Sequence, residues 1–358
     1  MRWSFRIGTI AGVRVELHVT FLMFIGWIAL SSGLTTGSPM EAVSSVVAIL
    51  LVFACVVLHE FGHVTAARRY GIATRDIVLL PIGGVARLER MPEKPSEELV
   101  VALAGPAVNV VIVAILLIAG VRPAGIAGIA EAGIPQLLLV VNTAMIVFNM
   151  LPAFPMDGGR VLRALLAMRL PFARATRIAA GVGQVLALML GLAGLFMNNF
   201  MLMLVALFVF FAAGEERALV ETRASLSGVS VREAMVTDFR WLDAHESLQR
   251  AVDLLMAGSQ QDFPVLEHGV AIGMLGRADL VRALQQHGPD APAGGIVTRN
   301  GGHAEASEPL EAAVRRMREG GRSALPVLEH GALIGLLTID NVGDLLVVRG
   351  AIRRYARV

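Results

Sequence analysis

The residues best suited to chemistry are two histidines and a glutamate at close spacing. His59, Glu60 and His63 follow the pattern H-E-x-x-H. Residues four apart lie on one face of an α-helix, so both imidazoles can reach a single zinc ion. Glu60 then lies next to the metal, where it can take a proton from a water molecule. The spacing therefore predicts a zinc-dependent hydrolytic site. The alternative is a polar cluster that only packs helices together.

Asp157 is the best candidate for a third ligand, because catalytic zinc sites usually have three protein ligands and one open position. It belongs to the segment 149–160, in which two prolines and two glycines interrupt helical structure. Irregular backbone at membrane depth is tolerated only where it is buried in protein or lines a water-filled cavity. A carboxylate in such a segment suits a metal ion. The alternative role for Asp157 is to cap the helix predicted at 160–169.

The composition indicates a membrane domain followed by a soluble one. Of the 358 residues, 55% are hydrophobic and 17% are charged. Soluble domains have about a quarter charged residues. Long apolar runs continue to about Ala213, and the remainder has the composition of a soluble domain. The net charge of +2 is too small to indicate nucleic-acid binding, so we expect no nucleic-acid partner.

Six apolar segments are predicted to be transmembrane helices, at residues 18–34, 42–67, 98–121, 135–151, 175–197 and 199–214. Crossing a bilayer takes roughly 20 residues, which makes the fourth and sixth segments short. Arginine and lysine are concentrated before the first segment, between the second and third, and between the fourth and fifth. By the positive-inside rule these parts are cytoplasmic. The pattern predicts a multi-pass cell-membrane protein with both termini in the cytoplasm.

Two short segments are predicted to be β-hairpins at the membrane edge. Residues 3–17 alternate around Ala11-Gly12, and residues 76–88 are β-branched and aliphatic around Pro81 and Gly83-Gly84. The predicted fold is thus a polytopic α-helical membrane domain with small membrane-edge β-hairpins, followed by a soluble α/β domain.

An internal repeat defines the soluble part. The sequence of residues 262–269 recurs at 323–331, and an amphipathic helix precedes each copy, at 247–258 and 309–320. A repeated β-α-β-β-α unit would make one compact domain. We predict a membrane domain at 1–214, a linker at 215–228, and the two repeats at 229–285 and 292–348.

These motifs resemble two known families. H-E-x-x-H on the second apolar segment, followed by N-x-x-P-x-x-P-x-D-G-G-R at 149–160, is similar to the site-2 protease family of intramembrane metalloproteases. The C-terminal repeat resembles a pair of CBS domains, and one branch of the protease family carries such a pair. Together the two resemblances cover nearly the whole chain.

The protease resemblance implies specific roles for site residues. It makes His59, His63 and Asp157 the ligands of one Zn²⁺ per chain, and Glu60 the general base. Asn149 matches a polar position that helps hold the substrate or the oxyanion. Gly83-Gly84 matches a loop that binds substrate as an added strand.

The same resemblance implies a transmembrane protein as substrate, such as a membrane-held regulator of transcription. Cutting such a substrate would be regulated intramembrane proteolysis. Asn142 lies seven residues before Asn149, on the same predicted helical face. Either both side chains line the active-site cleft, or Asn142 bonds a neighbouring helix. Asn109 is interpreted as a helix-packing residue.

The CBS resemblance implies an adenine nucleotide (ATP, ADP or AMP), bound through a G-x-x-T/S-x-x-D element in each copy. The second copy has Thr338 but Asn341 in place of aspartate, and the first has Asp279 but Gly276 in place of the hydroxyl residue. Thr338, Asp279 and Asn341 are therefore the candidate nucleotide-binding residues. The alternative is that the pair serves as a module for homodimer formation.

A CBS-gated transporter or channel is the competing function. Such a protein would be expected to show a repeated membrane half or paired broken helices. The sequence has one broken segment, at 149–160, and no second copy of it.

Overall fold

The computed structural model describes residues 3–81, 83–88, 92, 94–123, 133–297 and 302–355. The chain divides into two compact units, Met1–Ala218 and Leu219–Val358. The division lies inside a helix, Phe200–Leu226, which runs through most of the segment predicted as a linker.

The first unit is mainly helical. Its helices are α1 Val19–Thr36, α2 Pro39–Arg69, α3 Pro95–Ile118, α4 Ile134–Asn149, α5 Asp157–Ala167, α6 Phe172–Phe196 and α7 Phe200–Leu226. Among the described residues, α2, α3 and α6 are long and apolar enough to cross a membrane, and α1 and α4 are shorter apolar helices. The predicted apolar segments thus all form helices.

The outer surfaces of these helices are apolar. Trp27, Leu50 and Ile115 are 65%, 48% and 60% exposed. In water such a continuous apolar surface would be unfavourable, whereas lipid chains cover it in a bilayer. Polar side chains such as Asn109 and Asn142 are instead fully buried. The first unit therefore has the inverted pattern of a membrane domain.

A four-stranded sheet accompanies the helices. Its strands are β1 Ser4–Ile10, β2 Val13–His18, β3 Thr74–Leu80 and β4 Gly83–Leu88, in the order β1-β2-β3-β4. Both predicted hairpins are present, and a parallel pairing of β2 with β3 joins them into one sheet. Strand β4 lies at one edge, with α2 beside it.

The second unit contains two copies of one β-α-β-β-α unit. The first copy has β5 Leu242–Asp243, α8 Leu248–Ala257, β6 Asp262–Glu267, β7 Val270–Gly276 and α9 Arg277–His287. The second has β8 Ala304–Glu305, α10 Leu310–Glu319, β9 Ala324–Glu329, β10 Ala332–Thr338 and α11 Ile339–Tyr355. Each copy forms a three-stranded sheet in which the first two strands are parallel and the last two antiparallel.

The two copies exchange their leading segments. Val231, which precedes the strands of the first copy, lies in the core of the second with Leu310 and Val327. Ala293, which precedes the strands of the second copy, lies in the core of the first with Val265. Neither copy completes its core alone, so the pair forms one compact unit.

Candidate active site

Helix α2 carries both histidines of the H-E-x-x-H motif. His59 and His63 are 3% and 7% exposed, and their Nε2 atoms lie 3.1 Å apart. The Nδ1 atom of His63 lies 2.7 Å from the carbonyl oxygen of Val101. A carbonyl can only accept a hydrogen bond, so Nδ1 donates, and in the neutral ring Nε2 then keeps its lone pair. His63 is therefore prepared to bind a metal through Nε2.

Asp157 completes the group from the first turn of α5. Its Oδ2 atom lies 3.3 Å from Nε2 of His59 and 3.2 Å from Nε2 of His63, and its side chain is buried. The three donor atoms lie within 4.8 Å of one another. Two imidazole nitrogens and a carboxylate oxygen are a usual ligand set for catalytic zinc. When both rings are neutral with the lone pair on Nε2, the three acceptor atoms converge as zinc ligands do, so the residues fit a zinc ion.

Two glycines determine where Asp157 lies. A Cβ atom added at Gly158 would lie 2.3 Å from the carbonyl oxygen of Leu151, and one at Gly159 would lie 2.6 Å from the carbonyl carbon of Ala153. No larger residue fits such close contacts. The glycines therefore let the start of α5 pack directly on the irregular segment before it, and this packing holds the carboxylate at the histidines.

A third glycine, Gly105 on α3, lies against the imidazole rings. An added Cβ would lie 2.2 Å from Nε2 of His63 and 2.8 Å from Nε2 of His59. Gly62 makes a similar approach in the opposite direction, with 2.5 Å between an added Cβ and the carbonyl oxygen of Ala104. Gly105 was not among the site residues predicted from the sequence. The pair Gly105-Pro106 inside an apolar helix is unusual, however, and such a pair can mark a close contact of the backbone.

Glu60 faces the edge strand. Its Oε2 atom accepts a hydrogen bond from the backbone N–H of Ala86 on β4, at 3.2 Å. A Cβ added at Gly84 would lie 3.0 Å from Cγ of Glu60. Gly83, the other predicted glycine, has φ +137° at the start of β4. The structure thus brings the predicted base and the predicted substrate-binding strand into direct contact.

Comparisons with known proteins identify relatives of both parts of the chain. The family model described as peptidase family M50 matches residues 47–127 and 128–190, and the CBS domain model matches 231–286 and 294–347. A zinc metalloprotease of Methanocaldococcus jannaschii is 36% identical over 278 residues, which cover 77% of this chain and 79% of the relative. The chain belongs to peptidase family M50.

Two further similarities extend the comparison. Rip3 of Mycobacterium tuberculosis is 30% identical over 382 residues, covering 97% of this chain and 93% of the relative. A solved site-2 protease from M. jannaschii is 39% identical, covers 60% of this chain and 95% of that chain, and has a TM-score of 0.45. Membership of M50 confirms the resemblance seen in the motifs.

The two asparagines of α4 occupy different environments in this M50 chain. Asn149, the last residue of α4, is half-buried. Asn142 is fully buried, and its Oδ1 atom accepts a hydrogen bond from Nδ2 of Asn109 on α3 at 2.8 Å. Of the two alternatives for Asn142, the observed contacts correspond to bonding with a neighbouring helix.

A buried arginine holds α5 in place. Arg163 is 1% exposed and donates from Nε to Oε1 of Glu98 on α3 at 2.8 Å, and from Nη1 to Glu216 on α7. Its guanidinium group also lies 5.0 Å from the ring centre of Phe154 and 4.9 Å from that of Phe172. The helix that carries Asp157 is therefore tied to α3 and α7. In the sequence Arg163 was one of the positive charges predicted to be cytoplasmic, because no local pattern indicates this ion pair.

The candidate nucleotide-binding residues share one cavity in the CBS unit. Thr338, Asn341 and Asp279 line a cavity of about 1230 Å³ between elements of both copies. The Thr338 hydroxyl accepts a hydrogen bond from the backbone N–H of Asn341 at 3.1 Å, and Asp279 accepts one from Arg282 at 3.0 Å. The structure thus brings all three predicted residues to the same cavity.

The first CBS copy has Gly276 in place of the hydroxyl residue of the element, beside the carboxylate of Asp262. Gly276 pairs with Asp262, and an added Cβ would lie 2.9 Å from Oδ1 of Asp262. The equivalent pair in the second copy is Thr338 with Ala324. The polar side chain of this pair is thus on β6 in the first copy, as Asp262, and on β10 in the second, as Thr338. Burial raises the pKa of Asp262, and the nearby carboxylates of Asp340 and Asp279 raise it further, although Ser323 donates a hydrogen bond to it.

Proposed function

We propose that this M50 peptidase is an intramembrane protease that hydrolyses peptide bonds within or near transmembrane segments of other membrane proteins. One zinc ion per chain would be held by His59, His63 and Asp157. The observation that carries the proposal is the convergence of their three donor atoms within 4.8 Å at a buried site. Membership of a peptidase family does not favour the alternative of a CBS-gated transporter or channel.

The chemistry divides between the metal and Glu60. Zinc bound at this site supplies a Lewis acid, which polarises the scissile carbonyl and lowers the pKa of a water molecule. The Glu60 carboxylate takes a proton from the attacking water and delivers it to the departing amine. Asn149, at the end of α4, is the candidate to hold the substrate or the developing oxyanion. Because His59 and His63 are buried, water reaches them only through a polar passage within the protein.

The edge strand β4 is the proposed substrate-binding element. A peptide bond in a transmembrane helix is shielded by the hydrogen bonds and side chains of that helix, so the substrate must unwind locally. An extended segment can then pair with an exposed strand edge. Gly83, Gly84 and Ala86 lie on such an edge, and Ala86 contacts the base. Single-span substrates with helix-breaking residues should be cut faster than matched rigid ones, and equal rates would remove this proposal.

The activity is tested with purified protein and a single-span model substrate. Treatment with a zinc chelator should abolish cleavage, and added zinc should restore it. The His63→Ala variant, treated in the same way, should show no recovery. Full cleavage by the chelated wild type, or recovery in His63→Ala, would exclude the proposed zinc site.

The proposed topology has six membrane crossings, formed by α1, α2, α3, α4, α6 and α7, with both termini and the CBS unit in the cytoplasm. The arginine distribution and the apolar helices support it. A reporter that is active only outside the cytoplasm, fused after Val358, should be silent. An active reporter would place the C-terminus outside the cytoplasm and would exclude the proposed six-crossing topology with both termini in the cytoplasm.

The CBS unit is proposed to regulate the protease through an adenine nucleotide or through homodimer formation. We place its repeats at 229–285 and 292–348, after a membrane domain at 1–214 and a connection at 215–228. The cavity lined by Thr338, Asp279 and Asn341 supports the nucleotide proposal. Calorimetry with ATP, ADP and AMP, followed by cleavage assays with each, tests it. If no nucleotide gave binding heat or changed cleavage, homodimer formation would remain as the proposed role. Analytical ultracentrifugation of the protein would test for that dimer.

A further inference from the structure

A chain of three hydrogen bonds runs from His59 across two other helices. Nδ1 of His59 lies 2.5 Å from Oδ1 of Asn109 on α3. Nδ2 of Asn109 lies 2.8 Å from Oδ1 of Asn142 on α4. Nδ2 of Asn142 lies 2.8 Å from the backbone carbonyl oxygen of Leu138, one turn earlier on α4. The chain therefore links α2, α3 and α4 through side chains that are fully buried or nearly so.

The direction of every bond in this chain follows from its last member. The Leu138 carbonyl can only accept, so the amide nitrogen of Asn142 must face it. The Asn142 oxygen then faces Asn109 and requires a donor, which places the Asn109 nitrogen there and the Asn109 oxygen against His59. Reversing either amide would bring two acceptors together without a proton between them. The chain has one consistent polarity.

The consequence reaches the metal-binding atom. Because Oδ1 of Asn109 can only accept, Nδ1 of His59 must donate, and the neutral ring then carries its lone pair on Nε2. This is the atom that lies 3.3 Å from Oδ2 of Asp157. The Val101 carbonyl imposes the same tautomer on His63 directly. Both rings thus present Nε2 to the same point.

We propose that Asn109 and Asn142 are positioning residues that fix the tautomer and orientation of His59 for zinc binding. Asn109 acts on the ring directly, and Asn142 acts only through Asn109. Partners of this kind, hydrogen-bonded to the second nitrogen of a ligand histidine, typically contribute about 10- to 100-fold in metal affinity. The proposal rests on the zinc site proposed above.

Helix packing alone does not account for the arrangement. Asn109 and Asn142 could tie α3 to α4 with their mutual hydrogen bond, and that bond needs no contact with α2. The second N–H of Asn109 lies toward Sδ of Met145 at 3.7 Å, while its oxygen is directed at His59. The shortest bond of the chain is therefore the one that leaves the asparagine pair and ends on the proposed ligand.

The test compares the zinc affinities of two variants at Asn109. A packing role and a positioning role predict opposite orders for these affinities. Asn109→Asp keeps an acceptor for Nδ1–H of His59 and loses only the donor toward Asn142, whereas Asn109→Leu is similar in size and keeps neither. We expect Asn109→Asp to hold zinc within about threefold of the wild type and Asn109→Leu to bind it about 10- to 100-fold more weakly. The readout is the zinc dissociation constant, measured by competition with a chelating dye. A packing role predicts the reverse order, because leucine suits an apolar interior and an unpaired carboxylate does not.

Asn142 provides the second, independent comparison. We expect Asn142→Leu to weaken zinc binding by a smaller, several-fold factor, and the double variant with Asn109→Leu to be no weaker than Asn109→Leu alone, because Asn142 acts through Asn109. Thr143→Val is the matched control. Its hydroxyl donates to the Leu139 carbonyl at 2.7 Å on the exposed side of the same helix, so its loss should leave zinc affinity unchanged.

Several outcomes would overturn the proposal. These are unchanged zinc affinity in Asn109→Leu, additive losses in the double variant, or an equal loss in Thr143→Val. If Asn109→Leu fails to assemble, the single Asn142→Leu variant and its control decide the matter. Wild-type protein that binds no zinc would instead contradict the proposed function, so the two failures are distinguishable.

Discussion

The backbone N–H of Ala86 donates a hydrogen bond to the carboxylate of Glu60, with 3.2 Å between nitrogen and oxygen. Ala86 belongs to the edge strand of the sheet, and Glu60 belongs to the helix that carries both histidines. The position of the base is therefore coupled to the strand that is proposed to bind substrate. A substrate strand that paired at Ala86, as proposed, would compete with Glu60 for the same N–H.

Gly84→Ala tests this coupling. The new Cβ would lie 3.0 Å from Cγ of Glu60 and 3.1 Å from Cγ1 of Val56, so the base must move. Cleavage should fall about tenfold or more, because a displacement of ~1 Å can cost about 100-fold in rate. Zinc content should not change. Gly8→Ala, where the added Cβ meets nothing within 4 Å, is the control, and equal rates for the two variants would contradict the coupling.

A second prediction concerns the glycine that follows Asp157. Gly158→Ala would place a Cβ 2.3 Å from the Leu151 carbonyl oxygen, so α5 must shift and Asp157 must leave the histidines. We expect a loss of bound zinc and a destabilisation of about 1–3 kcal/mol. Gly181→Ala on α6, with nothing within 4 Å, should keep zinc and be neutral or slightly stabilising. Elemental analysis and thermal unfolding measure both effects, and retention of zinc by Gly158→Ala would be inconsistent with the close packing.

The buried ion pair leads to a third prediction. Oε2 of Glu98 is buried and has no hydrogen-bond partner among the described residues, so Glu98 depends on Arg163 for compensation. Arg163→Met should destabilise the protein by about 3–5 kcal/mol, because it leaves a buried charge unpaired. Adding Glu98→Gln to that variant should recover part of the loss. Thermal unfolding in detergent measures the difference, and a double variant that is less stable than the single one would show that the charge is not the cause.

Much of the site could be predicted because its signals are local. The four-residue spacing of His59 and His63 on a helix, and the irregular segment around Asp157, identify a ligand set without knowledge of the fold. The hairpins were equally local, since Ala11-Gly12 and Pro81 mark their turns. Each of these signals is a pattern of residues that lie close together in the sequence.

The features that escaped prediction depend on contacts between distant residues. The parallel pairing of β2 with β3 joins residues about sixty apart, and no turn residue specifies it. Asn109 was interpreted as a packing residue, because its bond to His59 spans fifty positions of sequence. Arg163 was counted as a cytoplasmic positive charge, yet it is buried between Glu98 and Glu216. Only tertiary structure brings these groups together.

The acidic cavity of the CBS unit leads to a fourth prediction, about pH. Burial and neighbouring carboxylates raise the pKa of Asp262, so its carboxyl group binds a proton more tightly in the folded state than in the unfolded state. Its contribution to the free energy of unfolding is fully present below the ordinary aspartate pKa of about 3.9 and is lost as pH rises through the raised value. Asp262→Asn removes this loss. The free energy of unfolding of the CBS unit should therefore be higher in Asp262→Asn than in the wild type, and the difference should be larger at pH 7 than at pH 4.

Denaturant unfolding of both proteins at the two pH values measures this difference. Asn can still accept the hydrogen bond that Ser323 donates, so the comparison isolates the charge. The same stability difference at pH 4 and pH 7 would contradict the raised pKa of Asp262.

The central claim is that His59, His63 and Asp157 hold zinc while Glu60 moves the proton, and Glu60→Gln separates these two roles. The measurement is the zinc content of the purified variant, taken together with its rate of cleavage of a single-span substrate. We expect zinc content equal to that of the wild type, about one ion per chain, and a rate lower by about 100- to 10,000-fold. Cleavage at the wild-type rate by a zinc-loaded Glu60→Gln protein would contradict the account.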